Sequence, residues 1–209
     1  VRIIDPSQKM DEIGNILIDE KGKIKSIGKK SSTSKSAEKI DLKGLIAIPG
    51  LVDMKAFVGE PGFEYKENFR TLSQAALAGG VTSIVTMPNT KPIIDNVSMV
   101  DFIIRRGRDK AKVNLFPCAS ITRQKEGNQM TEFGLLKARG IIGFSDVNKT
   151  IQNTELMSRI MNYASDIDVL IMQHAEDYEL AKNSCINQGE VATRLSLIHI
   201  SEPTRHLDI

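Results

Sequence analysis

The stretch from Ala75 to Asn96, AALAGGVTSIVTMPNTKPIIDN, holds the end of one helix, a whole strand and the start of a second helix. Gly79-Gly80 closes a run of good helix formers, because glycine readily takes the backbone conformation in which helices end. Val81 to Pro88, VTSIVTMP, is short, apolar and β-branched, which suits a strand buried on both faces. Asn89 beside Pro88 reads as a turn residue, and Asp95 or Asn96 can cap the helix that carries Val100, Ile103 and Ile104.

The same alternation extends in both directions. Strand-like GLVDMKAFV (50–58) precedes a helical pattern over Glu67–Ala78; a helix over Val97–Arg108 leads to KVNLFPCASI (112–121). A helix over Thr131–Arg139 leads to IIGFSD (141–146), and one over Asn153–Ala164 to VLIMQHAE (169–176). Strands recur at steps of roughly thirty residues, the size of a βα unit. Their near-continuous apolar runs fit a parallel sheet covered on both faces. Five such units favour the N-terminal half of a TIM-type (β/α)8 barrel over a doubly wound sheet, the α/β alternative. In a barrel the functional groups sit at the C-terminal strand ends, here around 55–60, 87–90, 119–122, 145–148 and 174–177.

Residues 1–48 differ. NILIDEKGKIKSIG (15–28) reads as strand, turn and strand, and EKIDLKGLIAIPG (38–50) as a further strand, so this segment is expected to be part of a small β-sandwich. Lys29 to Lys35 reads as a solvated loop. The chain begins at Val1 without Met, and its natural start is expected to be missing. LSLIHISEPTR (195–205) resembles sequencing-adapter read-through, so 195–209 are set aside as foreign. The barrel units then occupy 49–194, and His174 is the native histidine.

Composition removes several functions from consideration. The chain has 209 residues, 41% hydrophobic and 26% charged, with a formal charge of +2. No apolar run approaches the ~20 residues that cross a bilayer, and no basic stripe suggests nucleic acid. Cys118 and Cys185 lie far apart without C-x-x-C spacing, which argues against disulfides and zinc knuckles. A cytoplasmic protein is expected.

The motifs IPGLVDM (48–54), EPG (60–62), the 75–96 stretch, GFSD (143–146) and QHAED (173–177) occur in an order and spacing that resemble the class I dihydroorotases, metal-dependent hydrolases of the amidohydrolase superfamily. The resemblance implies roles for three residues: Asn89 contacting substrate, Asp146 and His174 ligating metal. It also exposes departures. Lys55 and Phe57 stand where the family has His-x-His, Gly59 replaces the arginine that grips the substrate carboxylate, and GFSDVN departs from FSDDG in its last two positions. Phe57 has no lone pair for a metal, and a protonated Lys55 repels one. Each residue also has a structural reading. His174 can be a core histidine, Asp146 a cap or a partner of Lys55, and Lys55 in principle a Schiff-base lysine; Met54, Phe57 and Phe144 read as barrel packing.

Among dihydroorotase-like proteins, DMKAFVGEPG (53–62) is most similar to degenerate-site chains that assemble with aspartate carbamoyltransferase. The resemblance therefore implies a non-catalytic oligomeric partner in pyrimidine biosynthesis, needing no cofactor. The alternative is a working zinc-dependent dihydroorotase or related cyclic amidohydrolase. In the non-catalytic case Lys55 is expected to point into the barrel mouth beside Asp146, its charge standing in for the metal, so that Lys55→Ala destabilises the protein.

Overall fold

A computed structural model describes residues 1–29, 31, 37–181, 184–187, 189–196 and 201–202. Most of the Lys29–Lys35 loop, and 197–200 and 203–209 of the terminal stretch set aside as foreign, lie outside the described residues. The chain divides into two units, Val1–Leu51 and Val52–Ile209.

In the first unit, β1 (Arg2–Asp5) pairs antiparallel with β2 (Met10–Ile13) around a 3-10 turn at Pro6–Gln8. The turn forms because Asp5 Oδ1 accepts hydrogen bonds from the Ser7 N–H and hydroxyl. Strands β3 (Asn15–Ile18) and β4 (Ile24–Gly28) make a separate hairpin, whose turn is held by Asp19 Oδ1 accepting from the Lys21 and Lys23 amides. The strand expected over 38–50 shrinks to β5 (Ile46–Ala47), parallel to β1. Asp41 accepts from the Lys43 amide and Leu45 N–H donates to Leu42 O, so a turn occupies the residues just before β5.

The second unit runs β6 (Leu51–Ala56), α1 (Phe69–Ala78), β7 (Val81–Thr86), α2 (Val97–Lys110), β8 (Asn114–Ala119), α3 (Phe133–Ala138), β9 (Gly143–Phe144), α4 (Thr154–Asp166) and β10 (Leu170–Ile171). The sheet order is β10-β9-β8-β7-β6, each strand beside its sequence neighbour, with parallel registers such as Ile84↔Leu115, Cys118↔Gly143 and Ile171↔Phe144. A doubly wound sheet would reverse direction at a switch point. This one does not, so it is the first half of a barrel. Asparagines set the helix starts: Asn68 accepts from the Arg70 and Thr71 amides, Asn96 from Met99 and Asn153 from Leu156.

The main core lies between sheet and helices. Val58, Phe69, Ile94, Val100, Ile103, Ala119, Ile121, Phe133, Leu136, Phe144 and Ile160 form one buried cluster. Phe144 stacks on Phe133 with centroids 3.8 Å apart, so it packs the helical layer. A smaller cluster, Val85, Met87 and Cys118 with Val147 and Met172, shares no residue with it. The edge strand β6 leaves Leu51, Val52 and Met54 exposed, the last at 49%; Met54 is therefore not packed as expected. Beyond β10, α5 (Tyr178–Ala181), β11 (Ile186–Asn187), α6 (Glu190–Arg194) and β12 (Ser201–Glu202) complete the described chain, with β11 and β12 parallel. Ser201–Glu202, within the stretch set aside as foreign, thus have a strand partner.

Candidate functional site

The end of β6 is a closed loop. Phe63 N–H donates to Gly59 O at 2.6 Å, and Gly59 sits at φ +73°. A Cβ there would lie 2.6 Å from Glu67 O and 2.8 Å from Phe63 O, so the loop has no room for a side chain at Gly59. Glu60 anchors the loop to two helices: its carboxylate, 5% exposed, accepts from the Phe69 amide at the start of α1 (3.1 Å) and from Arg106 Nε of α2 (2.6 Å). Phe57 leans on Phe63 at 6.3 Å between centroids, and Lys66 lies 5.5 Å from the Phe63 ring.

Lys55 is exposed, and its ammonium makes no ion pair with Asp146. This corrects the expected pairing. On the sheet's edge strand Lys55 can turn its flexible side chain to water, and ammonium hydration wins over a buried partner.

Asp146, at the end of β9 and 2% exposed, is held by the preceding strand instead. Its Oδ1 accepts from the Ile121 (2.8 Å) and Thr122 (3.1 Å) amides, and Oδ2 from the Thr122 hydroxyl (2.5 Å). That hydroxyl in turn accepts from the Gly127 amide at 3.0 Å. Burial raises the carboxyl above the usual range, while these donors and the nearby Lys125 charge pull it back. Lys125 is itself 9% exposed; burial pushes its ammonium down, Asp146 opposes that shift and Lys149 adds to it. Burial and then the Asp146 charge push the Cys118 thiol well up, which keeps it an inert core group.

Val147, one of the two departures from FSDDG, has φ +61°, rare for a β-branched residue. Its contact with the Val85–Met87–Cys118 cluster and its N–H bond to Ser145 Oγ hold it there. At β10, His174 Nε2 meets Glu176 Oε2 at 2.8 Å, and the His174 carbonyl accepts from Thr150 Oγ1. At β7, Asn89 Oδ1 is buried without a hydrogen-bond partner, as is Ser120 Oγ just beyond β8.

Asn89, Asp146 and His174 therefore all stand at C-terminal strand ends, as the sequence indicates. Their present partners are these. Both Asp146 oxygens are engaged by protein donors, His174 is turned to Glu176, and among the described residues no group of three His, Cys, Asp or Glu could share an ion. Sequence reasoning missed Glu60, Thr122, Lys125 and Glu176. Glu60 and Glu176 lay inside the EPG and QHAED motifs without an assigned role; Thr122 and Lys125 carry no local signal.

Residues 44–203 match the family described as dihydro-orotase-like. The chain is 43% identical over 197 residues to the dihydroorotase of Syntrophus aciditrophicus (strain SB), 42% over 196 to that of Geobacter metallireducens and 41% over 196 to that of Trichlorobacter lovleyi. Each match covers 94% of this chain and 46% of the relative, so the chain spans less than half the relatives' length. Among solved structures it resembles the L-hydantoinase (dihydropyrimidinase) from Arthrobacter aurescens, with a TM-score of 0.72 and 19% identity over 87% of this chain and 40% of that one; this likeness bears on the fold. Family match, relatives and half-barrel agree: the chain belongs to the dihydroorotase family of amidohydrolases.

Proposed function

We propose that this chain is a dihydroorotase-like protein of de novo pyrimidine biosynthesis, that its barrel mouth does not catalyse the reaction, and that it acts in the cytoplasm as a structural, oligomeric partner of aspartate carbamoyltransferase. The observation that carries this reading is Asp146. Where the family's carboxylate would hold a metal, this one accepts three hydrogen bonds from Ile121 and Thr122. Ring opening of a cyclic amide needs a polarised carbonyl and an activated water, which the family obtains from metal. Phe57 and a protonated Lys55 offer a metal no lone pair, and Gly59 has no side chain with which to grip a carboxylate. The partner is inferred from the DMKAFVGEPG form of the first strand.

The second reading, an active zinc-dependent dihydroorotase or related cyclic amidohydrolase, is favoured by the 41–43% identity to proteins of that name and by Asp146 and His174 remaining at strand ends. One experiment separates the two. The full-length protein is purified alone and with aspartate carbamoyltransferase from the same organism, and zinc content, turnover of carbamoyl-aspartate and mass by light scattering are measured. Zinc far below stoichiometric, no turnover and a shared complex are expected. Stoichiometric zinc with turnover would establish the second reading.

A further inference from the structure

The charge of the chain is unevenly placed. RRGRDKAK (105–112), the end of α2 and the two residues after it, holds five cations against one anion, a net +4 in a chain whose formal charge is +2. All five cations are exposed. Some have work within the fold: Arg106 pairs with Glu60, and Arg108 and Lys110 in the last helical turn suit the negative end of the helix. Arg105 and Lys112 lie outside that turn and make no ion pair among the described residues.

Beside this run the surface is hollow. A groove of about 410 Å³ opens between α2 and the start of β8, floored by Ile103, Ile104, Leu115 and Pro117 and rimmed by Arg108 and Lys112, with no acidic residue on its walls. Gly107 fixes its shape, because a Cβ there would lie 2.9 Å from Leu115 Cδ1, so the helix rides close on the strand. The groove lies at the N-terminal ends of the strands, opposite the end that carries Asp146 and His174. It is also away from the edges of the sheet, since β8 has β7 and β9 as neighbours.

We propose that this groove docks an acidic segment of a protein partner, with an apolar side chain of the segment on the floor and its carboxylates on Arg108 and Lys112. Charge complementarity selects the occupant. Arg108 gives its Nε to Asp109 at 3.3 Å in an exposed pair, which holds weakly and leaves the rest of the guanidinium fork for a carboxylate. A nucleic acid would use the cations and leave the apolar floor wet. A membrane would need apolar residues outermost, whereas these are recessed between cations. The inference goes beyond the structural-partner reading, because it concerns the end of the half-barrel away from the mouth.

The test is fluorescence anisotropy of the full-length protein with a labelled amphipathic peptide of Glu and Leu. Two altered peptides, with Gln for Glu and with Ser for Leu, and a labelled single-stranded DNA are the comparisons. Saturable binding of the Glu-Leu peptide is expected, weaker by about tenfold or more for each comparison. Arg108→Glu and Lys112→Glu should each weaken it by about tenfold through like-charge repulsion. Arg159→Glu on the exposed face of α4 makes the same change in net charge and should leave binding unaltered. No binding of the Glu-Leu peptide, equal binding of either altered peptide, tighter binding of DNA, or an equal loss with Arg159→Glu would overturn the proposal. Zinc and turnover in the same protein would sink the structural-partner reading and leave this one standing.

Discussion

The ends of β6 and β9 occupy corresponding places in a barrel and are held in opposite ways. At β6 the backbone leads: Gly59 admits no Cβ, and Glu60 ties the loop to both α1 and α2. At β9 a side chain leads, since Asp146 faces the amides and hydroxyl of the neighbouring strand end. The contrast teaches that a strand end can be shaped by a backbone that excludes a side chain or by neighbours that engage one. Only the first is written in the residues themselves.

The comparison breaks first at Asp146. Asp146→Ala strands two amides and a hydroxyl in a buried place and should cost about 3 kcal/mol, at roughly 1–3 kcal/mol for each unsatisfied group. Asp146→Asn keeps one acceptor oxygen and should stay within about 1 kcal/mol, because the Thr122 hydroxyl can serve the new amide. Urea unfolding of both variants checks this; an Asn variant as damaged as the Ala variant would mean that the charge itself is required.

Glu60→Ala comes next. It frees the Phe69 amide and the Arg106 guanidinium and should cost about 2 kcal/mol by the same measurement. Gly59→Ala should cost about 1 to 2 kcal/mol, since the left-handed backbone and the two carbonyls both oppose a Cβ. A neutral Gly59→Ala would show that the loop is not closed in solution. The smallest effect belongs to Lys55→Ala, which should change thermal stability by no more than about 0.5 kcal/mol because Lys55 is exposed and unpaired with Asp146. A large loss there would restore Lys55 as the counter-charge of the site.

The fold was legible because its signals are local. Gly79-Gly80 does end α1, Asn96 rather than Asp95 caps α2, and the apolar runs do become neighbouring parallel strands. The departures at 55, 57 and 59 are what the resemblance implies. The partners of Asp146 were not legible, because they lie 24 and 25 residues away and meet it only across the sheet. Lys125 was invisible for a related reason. Nothing in RQKEG (123–127) announces a left-handed pair that turns a lysine inward. Lys55 misled because strand alternation does not say whether a long side chain on an edge strand will prefer solvent.

Thr122 gives the mouth a direction. Its oxygen receives the Gly127 N–H, and its one proton is given to Asp146, so amide, hydroxyl and carboxylate form a relay polarised one way. Gly127, on a surface turn, therefore senses a group buried at the end of another strand. Its hydrogen-exchange rate becomes a gauge that can be read from outside: whatever draws Asp146 away, whether an ion or a substitution, loosens the hydroxyl's hold on that amide and lets deuterium in.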